Sequence, residues 1–437
     1  MSANPQAASP LARLAGAQAA LPGGAAWAAW RGAALERLIA AGLPTPRDDA
    51  WKYTSLRLLA RRELAPAPPR PVATGALAEL PALAGPRLVF VDGRYHAALS
   101  SPRLPDGCRF TPFAARLAAE SPQALGATLA GDAARIDERV RLLNASLAAD
   151  GPSLELADGA RPAEPVHLVH VATGGGAYPR TRVVLGAGAS LELLEYHLTV
   201  GGGEAFVAAA GDYRLARGAT LTHSSLQVAG DRTILLDDAA VVVGAGARYA
   251  HRLVALGGQL TRLDLRVALD GEGAGAELAG IFLADGAREQ HLRTLVEHRS
   301  PHTASDQLYR GVAAGRGRGS YDGKVIVHPG AAKTESRQSS RNLLLGREAA
   351  IESRPQLEIN ADDVKCSHGA TTGTLDEQMM FYLLARGLDR DTARALLTYA
   401  FVGDVLRRLA PAALRRAVEA RVLGRLPAAE LLREFVA

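Results

Sequence analysis

The sequence predicts a mostly β protein, a β-solenoid flanked by an N-terminal and a C-terminal helical domain. Three observations carry this prediction. A Gly-Ala pair recurs at Gly159-Ala160, Gly188-Ala189, Gly218-Ala219, Gly246-Ala247 and Gly275-Ala276, at intervals of 29, 30, 28 and 29 residues. A period near 30 residues marks stacked supersecondary units. Alternating segments such as Leu191-Glu192-Leu193 and Leu263-Asp264-Leu265-Arg266-Val267 read as strands, with no helical pattern between them. Glycine is abundant at 45 residues and aromatics are scarce at 5%, which suits short strands joined by Gly corners. The pattern weakens later: position 304 holds Ala304 without a Gly, and Gly330-Ala331 falls about two periods after Gly275.

At 437 residues the chain is too long for one ordinary core, and two or three domains, or one plus a solenoid, are expected. Residues 1–150 are expected to be mainly helical. Trp27, Trp30, Ala34, Leu35, Leu38 and Ile39 recur at helical spacing, and Gly42 and Pro44 supply the stop. An aromatic-rich turn covers Asp48 to Leu56, a Pro-rich linker covers Ala65 to Pro71, and a further helix is expected from about Gln123 to Leu147. The solenoid core is placed at 151–372. A helical domain at 373–437 opens on a capping box, with Thr374 as N-cap and Glu377 at N3. Met379, Met380, Leu383 and Leu384 line one face of that helix, and Gly387 stops it. A second helix follows Asp389, Pro411 opens a third and Pro427 a fourth. This domain is expected to cap the open end of the solenoid.

The net charge is +5, and the arginines are scattered rather than striped among aromatics, so no nucleic-acid partner is expected. No apolar run reaches membrane-spanning length, and Arg13 interrupts what would be a signal-peptide core, so a cytoplasmic location is expected. The only cysteines, Cys108 and Cys366, exclude a disulfide scaffold and any self-contained cysteine-ligated metal site. Lysine occurs only at Lys52, Lys324, Lys333 and Lys365.

Cys366 and His368 follow the strand-like Leu357-Glu358-Ile359. On a strand, positions i and i+2 share a face, so the thiol and imidazole project together while Lys365 and Ser367 face the other way. Both are ligands for iron or zinc, but two ligands do not complete a tetrahedral site. A metal or cluster site here requires ligands from another chain. The plainer alternative makes Cys366 a small hydrophobe and His368 a surface residue. Gly315-Arg316-Gly317-Arg318-Gly319 and Gly323-Lys324-Val325 lack a phosphate-loop pattern, so ATP hydrolysis is not expected. Asp362 and Asp363 are adjacent and would face opposite sides of a strand, so they cannot act jointly as acid and base. His197, His223, His251 and His291, spread over different coils, could approach one another, but exposed surface positions are expected for them, and Arg407-Arg408 and Arg415-Arg416 are expected on a solvated face.

The run from Leu357 to Thr371, with Phe381-Tyr382-Leu383 and Arg386-Gly387-Leu388 after it, resembles the signature of the SufB/SufD family of iron–sulfur cluster assembly scaffolds. Tyr321-Asp322-Gly323-Lys324-Val325-Ile326-Val327, Ala332-Lys333-Thr334, Gln338, Asn342-Leu343-Leu344-Leu345, Trp51-Lys52-Tyr53-Thr54 and Leu143-Asn144-Ala145 resemble the same family. Gly369 after the histidine resembles the SufD branch, since SufB usually has Glu there; Tyr321 stands where the family commonly shows Phe. The resemblance implies a right-handed parallel β-helix and a non-catalytic scaffold. It implies pairing with a SufB-like subunit along the β-helix, and docking of a SufC-like ABC ATPase on C-terminal helices carrying Phe381, Tyr382, Arg386, Gly387 and Phe401. It further implies an iron–sulfur cluster held only transiently at the partner interface, with no cofactor bound stably by the chain alone. His368 would then be the interface ligand of a shared metal site, or a proton donor there, with Cys366 in support; whether the isolated chain is a homodimer is left open by the sequence. The rival reading is a β-helix polysaccharide lyase or hydrolase, which needs clustered carboxylates or a Ca²⁺ site along one face and usually an export signal.

Overall fold

From residue 166 to residue 373 the chain repeats one operation: a strand, a corner, a second strand, a corner. A computed structural model describes residues 11–78, 80–101, 103–122 and 137–425. In it, successive strands alternate between two ten-stranded sheets, so each coil adds one strand to each sheet. The result is a parallel β-solenoid of about eight coils. Neighbouring strands pair in register, and equivalent positions therefore stack into columns. Leu191, Leu221, Tyr249 and Ala276 form one such column and are all buried in the interior. Burying each strand on both faces is what a parallel sheet requires.

The corners explain the sequence period and its fading. In sheet one, each strand from Ser190–Thr199 onward opens two residues after a residue in the left-handed conformation. These residues are Gly188, Gly218, Gly246, Gly273, His302, Lys333 and Asp363, with φ between 54° and 69°. The next position turns inward and is small: Ala189, Ala219, Ala247, Ala274, Thr303 and Thr334 are all buried. The fourth of these corners is thus Gly273-Ala274; the expected pair, Gly275-Ala276, opens the strand Gly275–Ala284 instead. Beyond it the corner survives while the glycine does not. Glycine takes positive φ freely, and a residue with a Cβ accepts it at about 1–2 kcal/mol.

Each flank of the solenoid is covered by helices. On sheet two, Phe206, Ala208, Ile234, Leu236 and Leu260 face outward and are buried under Leu35 and Leu38 of helix Gly24–Ala41 and Val140 and Leu143 of helix Arg139–Leu147. Ile39, expected on the same stripe as Leu38, is 43% exposed. Two of the sequence motifs act here as fasteners. The Trp51 ring lies 3.9 Å under the Arg262 guanidinium, which also donates to Thr54 Oγ1 at 2.8 Å. Asn144, fully buried, donates from Nδ2 to the carbonyls of Pro179 and Ala208 at 2.9 and 2.8 Å. The helix expected from about Gln123 to Leu147 falls partly outside the described residues; within them, a helix begins at Arg139, after Glu138, and ends at Leu147. The segment before residue 151, expected to be mainly helical, also supplies strands Arg87–Val91, Arg94–Tyr95 and Cys108–Pro112, which extend the two sheets. Leu88-Val89-Phe90-Val91 is a continuous apolar run, buried on both faces.

The C-terminal helices Arg390–Leu406 and Ala412–Leu423 do not cap the end of the solenoid. They lie along the outer face of sheet one, where Val254, Ile281, Leu283, Val312 and Leu343 need cover, and bury Val402, Val405, Leu406 and Val418 against it. Arg408, expected on a solvated face, reaches Glu277 and Asp306 at 2.9 Å each and ties the helix end to the sheet. The preceding helix Glu377–Leu384 is capped by Asp376, not Thr374: the carboxylate accepts from the N–H groups of Gln378 and Met379. The helix expected after Pro427 lies outside the described residues.

Candidate functional site

Because the helices pack on the flanks, the C-terminal end of the solenoid is open among the described residues. Strand Lys365–Gly373 is the last of sheet one and Ala350–Ile359 the last of sheet two, and among the described residues each has a single strand neighbour. The Lys365 N–H donates inward to the Thr334 carbonyl at 2.8 Å. Backbone alternation in a parallel ladder then turns the N–H groups of Cys366, His368 and Ala370 to the free edge. Such an edge is a template for another chain.

The register defines where the side chains point. Cys366 pairs with Ser336 and His368 with Gln338, and both partners are buried inside the solenoid. Cys366 and His368 therefore share the inward face of the last strand, as the two-residue spacing requires. Since no coil follows, this face is only partly covered. Cys366 is half-buried against the core, and His368 is exposed. Burial pushes the Cys366 thiol up, against a smaller lowering from its hydrogen bond to the Ser336 backbone, so it rests as a thiol rather than a ready thiolate. Beneath His368, Gln338 Nε2 donates to Tyr321 Oη at 2.8 Å, and Tyr321 donates to Gln307 Oε1 at 3.2 Å. Gly323 makes that contact possible: a Cβ there would sit 2.1 Å from Gln338 Nε2. Cys108 is in strand Cys108–Pro112, at the far end of sheet two. With eight strand spacings of ~4.8 Å between the sheet ends, the two cysteines are roughly 40 Å apart. The edge pair thus remains two donors.

The three late lysines all sit on these last coils. Lys324 pairs with Glu358 at 2.8 Å, Lys365 with Glu335 at 3.5 Å, and Lys333 with Asp363. Each links one coil to the next. Solvent screens them, so their worth is small, but lysine along an edge discourages indiscriminate strand pairing. Asp362 and Asp363 lie in the turn before the last strand rather than on it, and Asp363 is the left-handed corner.

Beside the edge lies an exposed apolar surface. In helix Glu377–Leu384 only Met380 is buried, while Met379, Phe381 and Tyr382 are 57%, 73% and 54% exposed. Arg386 stacks 3.6 Å over the Tyr382 ring, and Gly387, with φ 89°, ends the segment. Phe401 is different in kind. It is half-buried against the sheet-one flank and lines, with Leu375, Met379 and Leu397, a cavity of about 390 Å³ between edge strand and helix. No helix among the described residues is long and apolar enough to cross a membrane.

The solenoid histidines are the residues that sequence reading misplaced. His197, His223, His251 and His291 are buried, not exposed. The signal was present: Glu195 and His197 fall on the same strand face as the core residues Leu191 and Leu193.

The family description "SUF system FeS cluster assembly, SufBD core domain" matches residues 168–401, more than half of the chain. The chain is 31% identical over 409 residues to the iron-sulfur cluster assembly protein SufD of Escherichia coli (strain K12), covering 90% of this chain and 92% of that one. It is 28% identical over 388 residues to an iron-sulfur cluster assembly SufBD family protein of Synechocystis sp., covering 85% of each. A third relative, the chloroplastic protein ABCI7 of Arabidopsis thaliana, is 34% identical over 195 residues, covering 44% of this chain and 41% of that one.

Proposed function

The chain belongs to the SufB/SufD family of SUF-system iron–sulfur cluster assembly proteins, and we propose that it serves there as a SufD-like, non-catalytic scaffold whose open solenoid end receives a SufB-like subunit. The observation that carries this reading is the free edge of strand Lys365–Gly373, with His368 exposed on its inward face. A partner strand added there would satisfy the outward N–H groups and bring its own donors to Cys366 and His368. The nascent cluster is cargo of that shared site. His368 supplies an imidazole ligand or a proton, and Cys366, held as a thiol, becomes a ligand only when a metal takes its proton.

The exposed Met379, Phe381 and Tyr382 surface fits the docking of a SufC-like ABC ATPase. Arg386 and Gly387 shape that surface, whereas Phe401 supports it from below. Nucleotide-driven motion of the ATPase would reach the edge through the cavity between helix and strand. The polysaccharide lyase or hydrolase reading finds no support. Carboxylates on the solenoid flanks are tied to arginines, as Asp212 is to Arg141 and Arg180, Asp238 to Arg141 and Arg266, and Asp264 to Arg262.

The test is co-expression with SufB-like and SufC-like partners, followed by anaerobic iron and sulfide reconstitution read by visible absorbance. His368→Ala is expected to leave the complex intact and to lower cluster yield at least several-fold. Undiminished cluster formation in that variant would remove His368 from the site. If the chain purifies as a homodimer that excludes both partners, the scaffold assignment fails.

A further inference from the structure

A second cluster of ligand-type side chains lies inside the solenoid, between the coils that carry residues 166 to 255. The register sets His170 beside His197 and His223 beside Leu193, all on inward faces. His170, Glu195 and His197 have side chains only 6%, 7% and 4% exposed. His170 Nε2 is 2.8 Å and His197 Nε2 3.9 Å from Glu195 Oε1. The three donor atoms all lie within 4.8 Å of one another, the only such group among the described residues. His197 Nε2 has no hydrogen-bond partner, although it is fully buried. It stands 3.9 Å from the Oδ2 of Asp237, on the opposite sheet. A cavity of about 10 Å³ adjoins His170 and His197; its other lining residues are mostly apolar, and neither Glu195 nor Asp237 reaches it.

We propose that His170, Glu195 and His197 bind one divalent first-row transition metal ion inside the solenoid, with Asp237 beside His197 on the opposite sheet and held there by Gln227 Nε2 at 3.1 Å. Two imidazoles and a carboxylate suit Fe(II), Co(II) or Zn(II) rather than Mg²⁺ or Ca²⁺. Metal–donor distances of about 2.0–2.2 Å put adjacent donors about 3 to 3.5 Å apart. The observed 2.8 and 3.9 Å separations from Glu195 Oε1 bracket that value; the two imidazoles are stacked with centroids 4.9 Å apart, so closing the site requires their rings to tilt toward one another. A second layer already orients the carboxylate. Glu195 Oε2 accepts from Tyr213 Oη at 3.1 Å and lies 2.9 Å from His223 Nε2, which leaves Oε1 to face His170 and His197. His223 is in turn held through Nδ1, 3.2 Å from Tyr249 Oη. Burial holds His197 down to about 3, so it is neutral and ligand-competent. Burial, with Glu195 nearby, holds the Asp237 carboxyl well above its ordinary range.

The experiment uses the full chain, stripped by chelator under anaerobic conditions. Co(II) is added either to the folded protein or during refolding, so that slow entry is not mistaken for no binding. Desalted samples are read by metal analysis, visible absorption and thermal unfolding. The expected result is one Co(II) per chain, a spectrum without a thiolate charge-transfer band, and a raised Tm. His368→Ala and Cys366→Ser retain the ion; His197→Ala loses it. His197→Asn, which keeps a polar group in the core, is expected to fold and also to lose the ion. Retention of Co(II) by a folded His197 variant overturns the proposal. So does a thiolate band that vanishes in Cys366→Ser, or failure of the unsubstituted chain to hold Co(II) after either route. None of these outcomes depends on the edge site, since the readout needs no partner and no cluster.

Discussion

A corner residue in this solenoid is fixed by its backbone before its side chain. Gly246 isolates the effect: its φ is 64°, and an added Cβ would meet nothing within 4 Å. Gly246→Ala is therefore expected to cost about 1–2 kcal/mol from conformation alone, seen as a lower urea midpoint with an unchanged slope. The same property limited what the sequence could say. Gly188, Gly218 and Gly246 announce their corners. His302, Lys333 and Asp363 hold the same conformation without announcing it, because nothing in their chemistry requires positive φ. The buried histidines were hidden for another reason. Polarity argues for the surface, and only parity with Leu191 and Leu193 argues for the interior. At Cys366 and His368 parity was enough to put both side chains on the inward face, since that needs only the two-residue spacing and the position of the strand.

Elements answer to what covers them. The strands of the solenoid were legible because alternation and a fixed period point to one architecture. The placement of the C-terminal helices was not, because it depends on an apolar outer sheet face assembled from residues as far apart as Val254 and Leu343. The cap at Asp376 was missed by two residues because Thr374 is still part of the chain leaving the strand. Two expected outcomes belong at this scale. Ala370 directs its N–H to the free edge, so Ala370→Pro removes a donor to an incoming strand without breaking the existing ladder. Its unfolding transition should be nearly unchanged, while capture of a SufB-like partner in a pull-down should fall at least tenfold. Phe381 is 73% exposed and holds little of the fold together. Phe381→Ser should shift stability by less than about 0.5 kcal/mol yet weaken binding of a SufC-like ATPase in titration calorimetry; unchanged affinity would move the docking surface elsewhere.

The whole molecule stores a set of neutral imidazoles in its interior, and this sets its acid response. Burial holds His197 at about 3 and His298 at about 4, against an unfolded value of 6.5, and holds His251 well below it. The unfolded chain thus takes up protons first as pH falls through 6.5, and stability declines from there toward pH 4. Each such histidine contributes up to about 1.4 kcal/mol per pH unit. Asp237 acts in the opposite sense, because its folded carboxyl keeps its proton above 3.8, and it offsets part of the loss. Urea midpoints of the metal-free chain should fall between pH 7 and pH 5, and His298→Gln should flatten that slope. The stacked register has a further consequence, because it converts coil number into length. Strand Ser190–Thr199, which carries Glu195 and His197, is separated from strand Lys365–Gly373 by six steps in sheet one. At ~4.8 Å per step the interior imidazoles stand roughly 29 Å from the open edge. That span is quantised: the fold can lengthen or shorten it only by whole coils, which makes the solenoid a ruler between its interior and the surface where another subunit would sit.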